Sequence, residues 1–286
     1  MPMLCLAGTF RIVGSEPDGD SIRFYPDDPS QWSLVGGPHR VRTNAAGGAQ
    51  LRLDAIDALE THYAPQGGAR LHQPPILAHQ AAAELLRWLG FRHVQRDVEK
   101  VAAAEPAELD GFLLTRTADL YGRCVALIGR GDPPAKSGAQ ARVNVALLRR
   151  TASFRLISTG LAYPTYYLNL FPDLRRALTA EVGRARPDRG VWPQDRTQSG
   201  FTVTGLDTLT EDVVILPKLF RRLVDYLHLG ADDTSLAGFA DYLAQRNDRV
   251  LVLPDGDFTS FDTVVRVDGQ NVRLTTAPEN LVFQEL

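Results

Sequence analysis

Four short pieces of the sequence carry the residue types that metal-assisted cleavage of a phosphodiester requires. Two carboxylates can hold a hard cation, a third can serve a water molecule, and two arginines can bind a phosphate. The pieces follow one another along the chain as Asp18-Gly19-Asp20-Ser21, Arg52 to Glu60, Asp119 to Arg123, and Gly190-Val191-Trp192. Together they predict hydrolysis of a phosphodiester bond.

The first piece is by itself typical of a turn, because Asp-Gly is a turn dipeptide. The chain repeats it at Asp255-Gly256-Asp257, and this second copy is an internal control. Five and eight residues after the downstream Arg266, where carboxylates would be required, the chain has Asn271 and Leu274. We therefore predict only a hairpin turn at the second copy.

The second piece is the most specific, because it combines an arginine with two carboxylates at fixed intervals. Arg52, Asp57 and Glu60 stand at Arg-x4-Asp-x2-Glu spacing, at the end of a predicted strand that runs into a loop. A strand positions Arg52 rigidly, and its planar guanidinium can hold two phosphate oxygens. The alternative interpretation of these residues is an ordinary surface ion pair.

The set, order and spacing of the four pieces resemble the staphylococcal nuclease (thermonuclease-like) family over residues 1–198. The resemblance implies a calcium-dependent phosphodiesterase, with another divalent cation as the alternative cofactor. By match to the family, Asp20 and Asp57 would bind the metal ion, together with the backbone carbonyl of Ala58. Asp18 would act on the residues that bind the metal ion, without binding the ion itself.

The same resemblance assigns the catalytic residues Arg52, Glu60 and Arg123. Both arginines would neutralise the charge that develops on the phosphate, and Glu60 would orient or deprotonate the attacking water. The partners would be DNA, RNA or both, single- or double-stranded, cut to 3′-phosphate and 5′-hydroxyl ends. The chain departs from the family at Leu59, where Pro is usual, and at Leu120, where Lys is frequent.

Three tyrosines are candidate substrate-binding residues. Tyr121 precedes Gly122 and Arg123 and is interpreted either as a hydrogen-bond donor to a terminal phosphate or as a core residue. Tyr163 and Tyr166 follow the second predicted helix, where the family places rings that contact a base, and stacking on a ring tolerates any base sequence.

Composition indicates a soluble globular protein with material for one large or two small domains. Hydrophobic residues make up 44% and charged residues 23% of 286 residues, and no apolar run reaches the length of a membrane span. We read no secretory signal, so the expected location is the cytoplasm. Cys5 and Cys124 are too few for a disulfide framework, and we interpret Cys124 as a buried strand residue rather than a nucleophile.

Charge is distributed unevenly along the chain. Counts of Lys+Arg and Asp+Glu give 12 − 15 = −3 for residues 1–129, 12 − 5 = +7 for residues 130–200, and 7 − 14 = −7 for residues 201–286. The basic middle segment suits a phosphate-rich substrate, although basic helix faces are often only solvated surface. The acidic segment has three alternative interpretations. It would dock on the basic segment and mask the site, bind a protein partner, or form a small accessory subdomain.

The order of predicted elements favours an α+β fold rather than a parallel βαβ sheet. Strands are predicted over residues 10–13, 21–25, 51–56, 94–101, 109–117 and 123–128, and helices over residues 76–89, 141–156 and 173–186. Taken with the resemblance, residues 1–198 form a staphylococcal nuclease-like domain, a five-stranded OB-type β-barrel with three helices. Residues 199–286 form a small acidic C-terminal α+β domain of unknown role. The competing hypothesis is a non-catalytic nucleic-acid or protein binding module on the same barrel.

Overall fold

The computed structural model describes residues 1–230 and 234–284. The strands of the first half are β1 (Pro2–Arg11), β2 (Ser21–Pro26), β3 (Ala49–Leu53), β4 (Ile56–Ala58), β5 (Arg92–Asp97), β6 (Lys100–Glu105), β7 (Glu108–Ala118), β8 (Cys124–Arg130) and β9 (Gln140–Arg142). Those of the second half are β10 (Ala162–Pro164), β11 (Tyr166–Tyr167), β12 (Phe201–Thr202), β13 (Arg249–Val252), β14 (Asp257–Ser260), β15 (Val265–Asp268), β16 (Asn271–Leu274) and β17 (Leu281–Phe283). The α-helices are α1 (Pro75–Leu89), α2 (Val145–Leu148), α3 (Ala152–Ser158), α4 (Pro172–Ala185), α5 (Pro217–Leu229), α6 (Phe239–Arg246) and α7 (Phe261–Val264).

Five strands close into a barrel, and the fold is of mixed α+β class. The ring runs β1–β2–β3–β8–β7 and returns to β1, with β9 added on the other part of β1. All pairings in the ring are antiparallel except β3 with β8, which is parallel. Because every barrel strand has two neighbours, no long strand edge is left unpaired.

The barrel closes around aromatic side chains from three of its strands, β1, β2 and β7. Phe10, Phe24 and Phe112 are each fully buried, and the rings of Phe10 and Phe24 meet edge to face with centroids 5.0 Å apart. Glycine allows the strands to approach closely at this level: a Cβ on Gly8 would lie 2.1 Å from the carbonyl oxygen of Tyr25. An alanine at position 8 would therefore force the two strands apart.

The chain divides into two compact units. Unit 1 consists of Met1–Asp54, Ala81–Leu156 and Pro172–Ala177, and it contains the barrel and the β5–β6 hairpin. Unit 2 consists of Ala55–Gln80, Ile157–Phe171 and the chain from Leu178 onward. The domain boundary predicted after residue 198 lies inside unit 2.

Unit 2 is built from three small sheets and several helices. The sheets are β10–β4, β11–β17–β13–β14 and β12–β16–β15. The main helix is α5, which begins with Pro217 at its first turn and ends at Gly230, and which buries one apolar face. The hairpin predicted around Asp255-Gly256-Asp257 is confirmed, because β13 and β14 pair antiparallel across this turn.

The helix predicted over residues 141–156 is wrong. The segment instead forms β9, then the single turn α2, then α3. Polar side chains cause the break: Asn144 Oδ1 accepts a hydrogen bond from Leu147 N at 2.9 Å and caps α2, and Thr151 Oγ1 accepts one from Phe154 N at 3.4 Å at the start of α3. The capping hydrogen bonds of Asn144 and Thr151 therefore favour two separate helices, although the apolar residues of the segment are spaced as in one continuous helix.

Other predicted elements hold with changed limits. The strand predicted over residues 94–101 is a hairpin of β5 and β6, because Val98 adopts a positive φ of 53° in the turn. The first strand begins at Pro2 rather than at residue 10. The helices predicted over residues 76–89 and 173–186 are confirmed as α1 and α4. Within the described residues, no helix combines the length and the apolar character that crossing a membrane requires.

Candidate functional site

Strand register brings Asp20, Arg52 and Arg123 to neighbouring positions in unit 1. Asp20 directly precedes β2, and its carbonyl oxygen accepts a hydrogen bond from Leu53 N at 2.7 Å. Arg52 lies opposite Ser21 on β2 and opposite Val125 on β8. Arg123 directly precedes β8. The barrel thus places one predicted metal ligand and both predicted phosphate-binding arginines on three adjoining strands.

The turn before β8 orients Arg123. Asp119 Oδ1 accepts hydrogen bonds from Tyr121 N at 3.0 Å and from Arg123 N at 2.9 Å, and Asp119 Oδ2 forms a 2.7 Å ion pair with Arg123 Nε. Tyr121 is 70% exposed, and the guanidinium of Arg123 lies 5.6 Å from the centroid of its ring. Of the two interpretations of Tyr121, core packing is therefore excluded.

Asp57, Ala58 and Glu60 belong to unit 2. On β4, Asp57 pairs with Tyr163 and Ala58 pairs with Ala162. Asp57 is fully buried, as is Leu59, which packs as a core residue at the position where the family usually has proline.

A glutamine that sequence reasoning missed holds the backbone of Glu60. Gln73 Oε1 accepts a hydrogen bond from Glu60 N at 3.2 Å, and Gln73 N donates to Glu60 O at 2.9 Å. Gln73 Nε2 in turn donates to Ile215 O at 2.9 Å, and the Gln73 side chain is fully buried. These bonds replace part of the restraint that a proline at Leu59 would supply.

A second missed residue, Arg221 of α5, bridges the predicted metal ligand Asp57 and the predicted catalytic residue Glu60. Its guanidinium donates to both oxygens of Asp57, from Nη1 at 3.1 Å and from Nη2 at 2.6 Å, and Nη1 also forms an ion pair with Glu60. Burial disfavours this cation, but the charges of Asp57 and Glu60 outweigh burial and raise the pKa of Arg221 well above its ordinary value. Arg221 is therefore a permanent positive charge between two acids.

The contacts of Arg221 with Asp57 and Glu60 show whether these two residues fit the divalent cation that the resemblance implies. Carboxylate oxygens are suitable ligands for Ca²⁺, yet both Asp57 oxygens accept hydrogen bonds from Arg221. In this arrangement Asp57 does not fit a metal ion. Nor is any group of three or more His, Cys, Asp or Glu side chains arranged to hold one, across the part of the chain that the structure describes.

Helix α5 is fixed by further ion pairs on either side of Arg221. Arg222 binds Asp248 through Nε at 2.6 Å and Nη2 at 2.9 Å, and Lys218 Nζ lies 3.2 Å from the same carboxylate. Tyr63 donates a 2.6 Å hydrogen bond from its hydroxyl to Asp225. The helix backbone that carries Arg221 is therefore held independently of the Arg221 bridge.

Lys218 makes the stability of the protein depend on pH. Burial lowers the pKa of Lys218 to about 8, although the charge of Asp248 opposes this shift. An unfolded lysine keeps its proton to about pH 10.4, so above pH 8 the unfolded state binds more protons and stability rises with pH. We expect the free energy of unfolding to rise by about 1–2 kcal/mol between pH 8 and about 9.5 relative to Lys218→Met. Urea unfolding of both proteins measures this difference; parallel pH profiles would contradict it.

The other two tyrosines are enclosed rather than exposed as the family resemblance led us to expect. Tyr163 is fully buried, donates a 2.8 Å hydrogen bond to Asp195, and packs edge to face on Trp192. Burial raises its pKa well above the ordinary value. Tyr166 is also fully buried, with its hydroxyl 3.0 Å from Thr179 Oγ1. Neither ring presents a face for base stacking in this structure.

Cys124 is a buried residue of β8, as the sequence predicted. Burial raises the pKa of its thiol to about 12, so the thiol stays protonated and is not a nucleophile at neutral pH.

Comparisons with known proteins were made against family models and against curated proteins. No family model matches the chain, and no curated protein matches it.

Proposed function

We propose that this chain is a phosphodiesterase that acts on DNA, RNA or both, on a barrel of the staphylococcal nuclease-like OB type. The observation that carries the proposal is the placement of Asp20, Arg52 and Arg123 on three adjoining strands. The closed five-stranded ring supports the OB-type assignment, because OB folds are five-stranded Greek-key barrels.

The family resemblance gives each group a role that suits its chemistry. Arg52 and Arg123 hold the phosphate and balance the negative charge of the transition state. Glu60 orients or deprotonates the water that attacks phosphorus, and the bond to the 5′ oxygen breaks, leaving a 3′-phosphate and a 5′-hydroxyl. Tyr121, exposed beside Arg123, contacts the substrate next to the bound phosphate. The family resemblance predicts Ca²⁺ or another divalent cation at Asp20 and Asp57, but the contacts of both Asp57 oxygens with Arg221 do not fit such an ion.

Cleavage of single-stranded DNA and RNA by the purified protein tests the proposal. The assay is run with Ca²⁺, with other divalent cations and with a chelator, beside Glu60→Gln. We expect cation-dependent cutting that Glu60→Gln reduces by about 10²–10⁴-fold. Cutting by Glu60→Gln at the parental rate would refute the assigned role of this residue.

The Arg221 bridge favours a second candidate function, a non-catalytic binding module. With Asp57 and Glu60 both bound to a protein cation, the barrel would bind a nucleic-acid strand through its arginines without hydrolysis. Retained binding of the same strands without cutting, in the wild type and in a variant that lacks Arg221, would favour this alternative.

The acidic segment, residues 199–286, is proposed to be an accessory domain rather than a second nucleic-acid grip. Its Arg221 contacts Asp57 and Glu60. One alternative from the sequence is instead that the acidic side chains of this segment dock on the basic segment. The contact is made by Arg221, one of the few basic residues of this segment. We therefore propose that a regulatory role of the segment would act through Arg221.

A further inference from the structure

Tyr121 is the most exposed aromatic side chain among the residues that the structure describes. It is 70% exposed, as is its neighbour Leu120, and both lie in the turn between β7 and β8. The guanidinium of Arg123 lies 5.6 Å from the centroid of the Tyr121 ring, and the ring nevertheless stays largely open to solvent. An exposed ring of this kind offers a face on which an unpaired base can stack.

Arg42 brings a second arginine to this turn from the long connection between β2 and β3. Its backbone N donates a hydrogen bond to Gly122 O at 2.9 Å. Gly122 has a positive φ of 80°, and a Cβ at this position would lie only 2.6 Å from Arg42 Cδ. The stem of Arg42 thus lies across the glycine that separates Tyr121 from Arg123. Because the guanidinium follows Cδ directly and the side chain is exposed, its charge is presented to solvent beside the turn.

The connection that carries Arg42 is held in place by its own hydrogen bonds. Asn44 N donates to Gly48 O at 2.8 Å, and Gly48 N donates to Asn44 Oδ1 at 3.0 Å. Trp32, which is buried, donates from Nε1 to Gly47 O at 2.9 Å. A segment that is already ordered loses less conformational freedom when a ligand binds. Arg42 is therefore positioned beside the turn before any ligand arrives.

The charge of this surface suits a phosphate group. Residues 29–53, which include Arg42, contain three arginines and no acidic residue. Asp119 is the one acid in the sequence of the turn, residues 119–123, and it forms a 2.7 Å ion pair with Arg123. The connection and the turn together therefore attract an anion rather than repel it.

We propose that Arg42, Leu120 and Tyr121 form a binding surface for single-stranded nucleic acid, with an unpaired base stacked on Tyr121 and the adjoining phosphate bound by Arg42. This inference rests on the proposed function, and it names the substrate class of the same site. Leu120 supplies apolar contact beside the stacked base. The bases of a duplex are paired and stacked on one another, so they present no free face to the ring. The surface therefore selects single strands over duplexes.

Binding measured in a chelating buffer tests the stacking contact without any cleavage. The fluorescence anisotropy of labelled oligo(dT) and oligo(U), and of the same strands annealed to their complements, is recorded with the full chain at physiological salt. We expect the wild type to bind the single strands about five- to hundredfold more tightly than the duplexes, which corresponds to the stacking of one base. Tyr121→Ala should lose this preference, whereas Tyr121→Phe, which keeps the ring, should retain it.

Arg42→Gln tests the phosphate contact, and Arg130→Gln is the matched control at the other end of β8. We expect Arg42→Gln to weaken single-strand binding about three- to tenfold and to reduce the slope of log affinity against log salt by about 0.7. Arg42→Lys should keep the wild-type slope, because it keeps the charge. Arg130→Gln should change the affinity by less than about twofold.

Equal affinity of the wild type for single strands and duplexes, or no binding of any strand, overturns the inference. Equal losses in Arg42→Gln and Arg130→Gln also overturn it. So does a loss in Tyr121→Phe as large as that in Tyr121→Ala, since the hydroxyl and not the ring would then make the contact. The expected binding pattern without cutting would uphold the inference while refuting the hydrolytic function. Cation-dependent cutting that Arg42→Gln and Tyr121→Ala leave unchanged would refute the inference while leaving that function intact.

Discussion

Replacing Arg221 with alanine is expected to lower the free energy of unfolding by about 3–5 kcal/mol. The substitution removes one cation and leaves two carboxylates, one of which is fully buried. Most of the loss arises at Asp57, because its carboxylate stays buried while the two hydrogen bonds from Arg221 are removed. Urea unfolding in a chelating buffer measures the loss, and we expect the midpoint to fall with little change in slope.

An exposed arginine of unit 2 supplies the control. Arg184 pairs with Glu181 on α4 but is 60% exposed, so Arg184→Ala should cost less than about 1 kcal/mol. Adding Asp57→Asn to Arg221→Ala should recover part of the loss, because it removes the buried negative charge that Arg221 contacts. A cost for Arg221→Ala as small as that of Arg184→Ala would show that the bridge contributes little to stability.

Four of the five barrel strands, β2, β3, β7 and β8, could be predicted from the sequence because their signals are local, whereas only the last two residues of β1 were predicted. Apolar and polar residues alternate over Leu51, Arg52 and Leu53, and turn residues precede the strand that begins at Ser21. The closure of the barrel could not be predicted from such local signals without a known family. It depends on the parallel pairing of β3 with β8, whose partners Leu51 and Cys124 are far apart along the chain. No local pattern specifies which strand meets which.

The candidate site divides in the same way. The spacing of Arg52, Asp57 and Glu60 is a local pattern, and the sequence displayed it directly. Arg221 was missed because its partner acids lie 161 and 164 positions earlier in the chain. The available signal was weak: Lys218, Arg221 and its neighbour Arg222 concentrate three of the seven basic residues of the acidic segment in one helix. Such a cluster is typical of a solvated helix face.

The tyrosines show a related limit. Tyr121 and Tyr163 are the same residue type in comparable loop-like contexts, yet one is 70% exposed and the other fully buried. Burial of Tyr163 depends on Trp192 and Asp195, which approach only in the folded unit. Residue type and local pattern therefore could not separate a candidate base-stacking ring from a core ring.

Replacing Arg123 with alanine is expected to lower the cleavage rate by about a thousandfold. Arg123 is held at the start of β8 by Asp119, which bonds both its backbone N and its Nε. Because the planar guanidinium binds phosphate through two parallel hydrogen bonds, Arg123→Lys should recover little of the activity. Asp119→Asn should give an intermediate rate, since it weakens the positioning of Arg123 without removing the charge. Initial rates on single-stranded DNA and RNA, in the wild type and in Arg221→Gln, provide the measurement.

Arg130 is the matched control for this series, because it is the last residue of the strand that Arg123 precedes, and it is exposed against Trp88. The Arg130→Ala substitution removes the same charge from the other end of β8. We expect it to change the cleavage rate by less than about twofold, since ion pairing at exposed sites is weak. Equal losses for Arg123→Ala and Arg130→Ala would indicate that the arginines act only through the overall charge of the barrel. A loss confined to Arg123 would instead indicate direct contact between its guanidinium and the reacting phosphate.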